Sequence, residues 1–116
     1  TMLQRVLANL VKTEGVEQAM LLDERGSLLA CVGNEGKVPP TESAIQATNI
    51  AIELSAALDL GELYEIWCEG DDNHRMMIDI ARPGRIVVLT GSNGRLARWR
   101  HALDRNRRII ATTPQM

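Results

Sequence analysis

The chain has 116 residues, 45% of them hydrophobic and 24% charged, with a formal net charge of −2. That length fits one domain, residues 1–116, able to bury a core without metal or disulfide staples. Two cysteines, Cys31 and Cys68, with no second pair and no CxxC spacing, point to neither a disulfide framework nor a zinc site, and no apolar run approaches a membrane span.

A reduced cytoplasm is the expected setting, since Met2 to Lys12 is patterned and does not resemble a signal peptide. Thr1 before Met2 reads as an expression scar. The net charge hides a split: residues 1–74 hold 13 acids and 4 bases, whereas residues 75–116 hold 2 acids and 9 bases. Such a split fits complementary faces in one fold, or a basic surface offered to an acidic partner. With no Phe, one Tyr and two Trp, the core must be aliphatic, and little remains for stacking bases or sugars.

Leu3, Val6, Leu7, Leu10 and Val11 share one face of a first amphipathic helix that ends near Gly15. Glu17 to Asp23 and Ser27 to Gly33 then read as a hairpin through Glu24-Arg25-Gly26, where glycine supplies a positive φ. Both strands are apolar on each face, so the sheet should be covered on both sides. After the Asn34–Pro40 loop, Thr41 is placed to cap a long helix, Thr41 to Leu60, stopped by Gly61.

That helix has more apolar surface than one contact needs. Ala47, Ile50, Ala51, Leu54, Ala57 and Leu58 form a broad stripe, and Ile45, Ile52 and Ala56 form a second, with Thr48, Ser55 and Asp59 among the polar rows between them. The pattern predicts that the helix packs on its own domain with one stripe and on something else with the second. Three strands follow, Glu62 to Glu69, Arg75 to Ala81 and Arg85 to Thr90, joined by Gly70–His74 and Arg82-Pro83-Gly84 as an antiparallel meander. Gly91–Gly94 turns into a last helix with Leu96, Trp99, Leu103 and Ile110 inward and a basic outer arc, and residues 112–116 read as a frayed tail. The order α-β-β-α-β-β-β-α implies an α+β fold, a three-layer α/β/α sandwich with the first and last helices on one face and the central helix alone on the other.

These residues resemble the Roadblock (dynein light chain) domain family, including bacterial members of the mutual gliding protein B type. The resemblance is carried by Gly15-Val16, the hairpin LLDERGSLLACVG from Leu21 to Gly33, the Ala-rich central helix, ELYEI from Glu62 to Ile66, and RPGRIVVLTG from Arg82 to Gly91. It implies a five-stranded antiparallel sheet of the Roadblock/profilin-like type, and a homodimer that pairs the third strand edge to edge with the central helices side by side. It also implies a non-enzymatic regulator or scaffold in signalling that binds a small Ras-like GTPase. The expected dimer or partner interface is Ile45, Asn49, Ile52, Ala56, Tyr64, Ile66 and Trp67. Burying Ile45 and Ile52 would contribute roughly 1.5–3 kcal/mol each, less than the roughly 4–15 kcal/mol that association costs. The edge of the Glu62–Glu69 strand, without Pro or Lys, must therefore contribute as well.

Other chemistry is weaker. Gly91–Arg95 lacks the spacing and lysine of a phosphate loop, Asp71–His74 reads as a hairpin tip rather than a cation site, and no Ser or Cys sits in a nucleophile signature. Catalytic residues, cofactors and metals are expected to be none. Cys31 and Cys68 read as small core residues. Asp79, amid apolar neighbours, is expected to pair with an arginine or to face solvent. The alternative function is a nucleic-acid or acidic-partner module using the last helix, with Arg98, Arg105 and Arg108 as its surface. Nucleic acid is disfavoured because no aromatics accompany these arginines, and a solvated face is the commoner outcome.

Overall fold

The computed structural model describes residues 1–34, 37–81 and 84–114. The segments Glu35-Gly36, Arg82-Pro83 and Gln115-Met116 lie outside the described residues, and with them parts of the expected Asn34–Pro40 loop, the last hairpin turn and the tail.

Helix α1 (Met2–Val11) buries Leu3, Val6, Leu7 and Leu10, the stripe its spacing predicts. Thr1 closes its start: the hydroxyl accepts from the Gln4 N–H at 3.2 Å while the Gln4 side chain accepts from the Thr1 amino group. Strands β1 (Val16–Asp23) and β2 (Leu28–Gly33) form the expected hairpin. Its turn is fixed by the Asp23 carboxylate, which accepts from the N–H groups of Arg25 and Ser27, both at 2.9 Å, and by Gly26 at φ 87°.

Helix α2 (Thr41–Ala57) begins one residue earlier than a Thr41 cap requires: Pro40 occupies the cap position and gives no side-chain hydrogen bond. It also stops short of Leu60, because Asp59 turns to φ 55° ahead of Gly61. Strand β3 (Glu65–Glu69) is shorter than the Glu62–Glu69 run. The Ile80 N–H still bonds the Tyr64 carbonyl, but the register leaves Glu62 and Leu63 opposite the point where β4 (His74–Ala81) ends. A single 3-10 turn, Asp71–Asn73, joins the two.

Strand β5 (Arg85–Ser92) leads to α3 (Leu96–Thr112), whose buried residues Leu96, Trp99, Leu103 and Ile110 are those the periodicity selects. The tail read as frayed from Thr112 is ordered further: Thr112 completes α3, and buried Thr113 donates its hydroxyl to the Ile109 carbonyl while its own carbonyl accepts from Arg85.

The sheet runs β2-β1-β5-β4-β3 with every neighbour antiparallel. Strands β1 and β5 lie close at their ends because Gly91 has no side chain there; a Cβ would stand 1.9 Å from the Gly15 carbonyl oxygen. One face carries Ala19, Leu21, Met77, Val87 and Leu89 under α1 and α3, and the other carries Met20, Leu22, Ile78, Ile86 and Val88 under α2. This is the three-layer α+β sandwich, with α2 alone on its side. The cysteines depart from expectation: Cys31 is half-buried and Cys68 exposed, because Cys68 lies on the edge strand, outside the core packed under α2.

Candidate interaction surface

Helix α2 meets the sheet through small residues. Ala44, Thr48 and Ser55 are buried, with Ala47 and Ala51 half-buried beside them. The spacing 44, 48, 51, 55 is one straight row on a helix. Thr48 donates to the Ala44 carbonyl at 2.8 Å and Ser55 to the Gly61 carbonyl at 3.1 Å, so neither hydroxyl is left unpaired under the helix. The row that looks like a polar divider in the sequence is thus the seam, because Thr48 and Ser55 satisfy their hydroxyls on nearby backbone carbonyls and can be buried beside Ala44.

This placement corrects the two-stripe reading. The broad stripe does not pack inward as a unit: Ile50, Leu54 and Leu58 are 66%, 57% and 59% exposed, and Leu60 beyond them 66%. Both apolar flanks overhang the seam, and Gln46, Asn49 and Glu53 lie outward and exposed. On one flank Ile45 is half-buried against the α2-side core, close to Gly26, while Ile52 (47% exposed) and Ala56 wall a groove of about 350 Å³ with Leu63 and Ile80.

Strand β3 is an outer edge of the sheet. Ile66 stands opposite Ile78 and shares the α2 face, while Trp67 stands opposite Met77 and takes the α1/α3 face. Tyr64, more than half exposed, borders a hollow with Asp104, Arg107, Arg108 and Ala111 of α3. Of the expected interface, the structure therefore gathers Ile52 and Ala56 in one groove with Asn49 exposed beside them. Ile45 is partly used by the core, and Ile66 and Trp67 separate to opposite faces of one strand. Ile50, Leu54 and Leu58 were missed as surface residues; the row of small residues was the signal that places them outside.

No family model and no curated protein matches the sequence. Solved structures do match it. The gliding protein MglB from Thermus thermophilus aligns over 95% of this chain and 86% of that one, at 22% identity and a TM-score of 0.77. An MglB with a tetrameric arrangement aligns over 94% and 85%, at 22% identity and a TM-score of 0.76. A Roadblock/LC7 domain from Streptomyces avermitilis aligns over 92% and 96%, at 15% identity and a TM-score of 0.71. The chain has the Roadblock fold. In this Roadblock sandwich α2 and β3 are the elements left least covered, and α1 and α3 close the opposite face.

The α3 side carries the charge chemistry. Asp79, fully buried, accepts from Arg107 at 2.6 Å, and Arg107 also meets Asp104 at 3.2 Å. Arg100 bridges to Glu65 of β3 at 3.0 Å, and Glu65 stands directly across from Asp79. Burial pushes the Asp79 carboxyl up, outweighing the lowering effect of Arg107, and the hydrogen bond to Asp79 raises Arg107 in turn. The second Asp79 oxygen has no hydrogen-bond partner among the described residues. The cluster ties β3 and β4 to α3, and Asp79 takes the arginine pairing rather than solvent.

Arg98, Arg105 and Arg108 are exposed without an acidic partner among the described residues, whereas Arg100 and Arg107 are paired internally. Among the described residues there is no group of three or more His, Cys, Asp or Glu that could hold a metal ion, and no helix is long and apolar enough to cross a membrane.

Proposed function

We propose that this chain is a non-enzymatic regulator or scaffold that works in the cytoplasm as a homodimer and binds a small Ras-like GTPase, modulating its nucleotide cycle. The observation that carries this reading is the exposure of Ile50, Ile52, Leu54 and Leu58 on the flanks of α2 and of Leu60 just after it, in a sheet whose strand β3 is an outer edge. Large apolar side chains left exposed along one helix mark an interaction site, and an outer strand edge offers backbone hydrogen bonds to a second strand.

The proposed interface is Ile45, Asn49, Ile52, Ala56, Tyr64, Ile66 and Trp67, and the proposal extends it to Ile50, Leu54 and Leu58 because they are exposed. Pairing β3 with its copy would extend one sheet across both protomers and bring the two α2 helices alongside, making a platform that one protomer lacks. Fold likeness to MglB, including one in a tetrameric arrangement, supports an assembling regulator. Arg100 and Arg107, the α3 arginines that reach Glu65 of β3 and Asp79 of β4, are held by those carboxylates, and action on a GTPase is taken to proceed by positioning that protein's own residues.

Sedimentation equilibrium at micromolar protein tests the first half: a dimer is expected, and Ile52→Asp with Leu54→Asp should give monomers. A monomeric unmodified chain would sink it. For the second half, a purified Ras-like GTPase from the same source is titrated when loaded with GDP or with a non-hydrolysable GTP analogue. Binding that depends on the nucleotide is expected, and no binding to either form would remove the GTPase from the proposal.

A further inference from the structure

On the face of the molecule away from α2, the end of α1 and the first half of α3 enclose two adjoining hollows of about 600 and 690 Å³ that share Lys12, Thr13, Ala102 and Arg105. Lys12 contributes one positive charge from α1, and Arg95, Arg98 and Arg105 contribute three from α3, with His101 beside them. Glu14 is the single acid of the lining. None of these four cations has an ion-pair partner among the described residues, although Arg100 and Arg107 on the same helix do. The groove also takes in the start of α3, where Arg95 occupies the cap position without a side-chain cap and the first turn holds no acid. The positive end of a 17-residue helix is thus left uncompensated beside four unpaired cations.

We infer that the α1–α3 groove is a second docking surface, one that takes an acidic segment of a partner protein with its carboxylates set against Lys12, Arg95, Arg98 and Arg105. The floor favours a polypeptide. It is small at Ala102, Asn9 offers a side-chain amide suited to a peptide backbone, and Asn106, whose Nδ2 donates to the Ala102 carbonyl at 2.7 Å, presents its amide oxygen. Nucleic acid fits worse: no Phe, Tyr or Trp lines the groove for base stacking, and Glu14 interrupts the positive wall. The groove lies across the sheet from the α2 and β3 surface, so both can be occupied at once, and the inference stands independently of the proposed dimer.

The test uses the full chain and fluorescence anisotropy with a labelled peptide of alternating Glu and Ala long enough to span the groove. The peptide should bind at low salt and weaken as NaCl rises. Arg98→Glu with Arg105→Glu should weaken it about tenfold or more, because each reversal removes an attraction and adds a repulsion. Arg98→Lys with Arg105→Lys should keep most of the binding, Leu54→Asp should leave it unchanged, and circular dichroism should confirm that all variants fold. Amide shifts on titration should cluster at Lys12–Glu14 and Arg95–Arg105. The inference is overturned if a single-stranded oligonucleotide of equal charge binds more tightly than the peptide, if inorganic phosphate alone displaces the peptide at equal concentration, or if the charge reversals leave peptide binding unchanged.

Discussion

Under α1 and α3 the sheet meets large side chains, and Leu3, Leu7, Leu10, Trp99, Leu103 and Ile110 are each 2% exposed or less. Under α2 it meets Ala44, Thr48 and Ser55, while the leucines and isoleucines of that helix stay in the open. Two helices with big residues close one face completely; one helix with a small-residue seam covers the centre of the other and leaves its flanks apolar. The first arrangement spends its hydrophobic surface within the protomer. The second keeps it available, which is how a protomer can be a stable fold and still have reason to associate.

The contrast can be broken most severely on the closed face. Trp99→Ala should cost about 3–5 kcal/mol, since the indole is fully buried and its N–H donates to the Glu14 carbonyl at 2.9 Å. Urea denaturation reads the loss; a change below about 1 kcal/mol would mean that this face is not the stable half.

Arg107→Ala should come next, at about 3 kcal/mol, because it leaves the buried Asp79 carboxylate without its counter-ion. The pH dependence has a definite sign. Burial holds the folded-state pKa of Asp79 above its unfolded value, so between the two values the native state keeps the extra proton and stability falls as pH rises. Losing Arg107 raises that pKa further. The destabilisation should therefore be fully present at neutral pH and shrink as pH is lowered through the folded-state value, and Asp79→Asn should flatten the profile. Equal losses at acid and neutral pH would contradict this account.

A smaller effect sharpens the comparison at the seam. Ala44→Leu should cost about 1–3 kcal/mol by overpacking the buried seam under α2, and hydrogen exchange should show α2 loosening before α1. Smallest of all for the protomer is Leu54→Asp, expected within about 0.5 kcal/mol for an exposed site. Its effect should appear in the association equilibrium instead. If it unfolds the monomer, the flank is not the free surface described.

Much of the fold was legible because its signals are local. The α1 stripe at Leu3, Val6, Leu7 and Leu10, the Asp23–Gly26 turn and the inward set of α3 each follow from spacing within one element. The candidate surface was less legible. Thr48 and Ser55 read as polar, yet a hydroxyl bonded to a nearby carbonyl can be buried much as alanine is, so hydropathy alone missed that the seam runs between the two apolar stripes. Ile66 and Trp67 are adjacent in sequence and on opposite faces in space, which strand geometry implies but a residue list hides.

Element order, the two-sided character of the strands, the basic last helix and the surplus apolar residues of α2 were settled by the chain itself, because each depends on neighbours a few positions away. Only the tertiary structure decided which side of α2 faces the sheet, where β3 stops, which arginines are already paired and which cations gather between α1 and α3. Those outcomes depend on partners brought together from distant parts of the chain: the burial of Ala44 at the seam, the end of β4 at Ala81, and the buried carboxylate of Asp79 beneath Arg107.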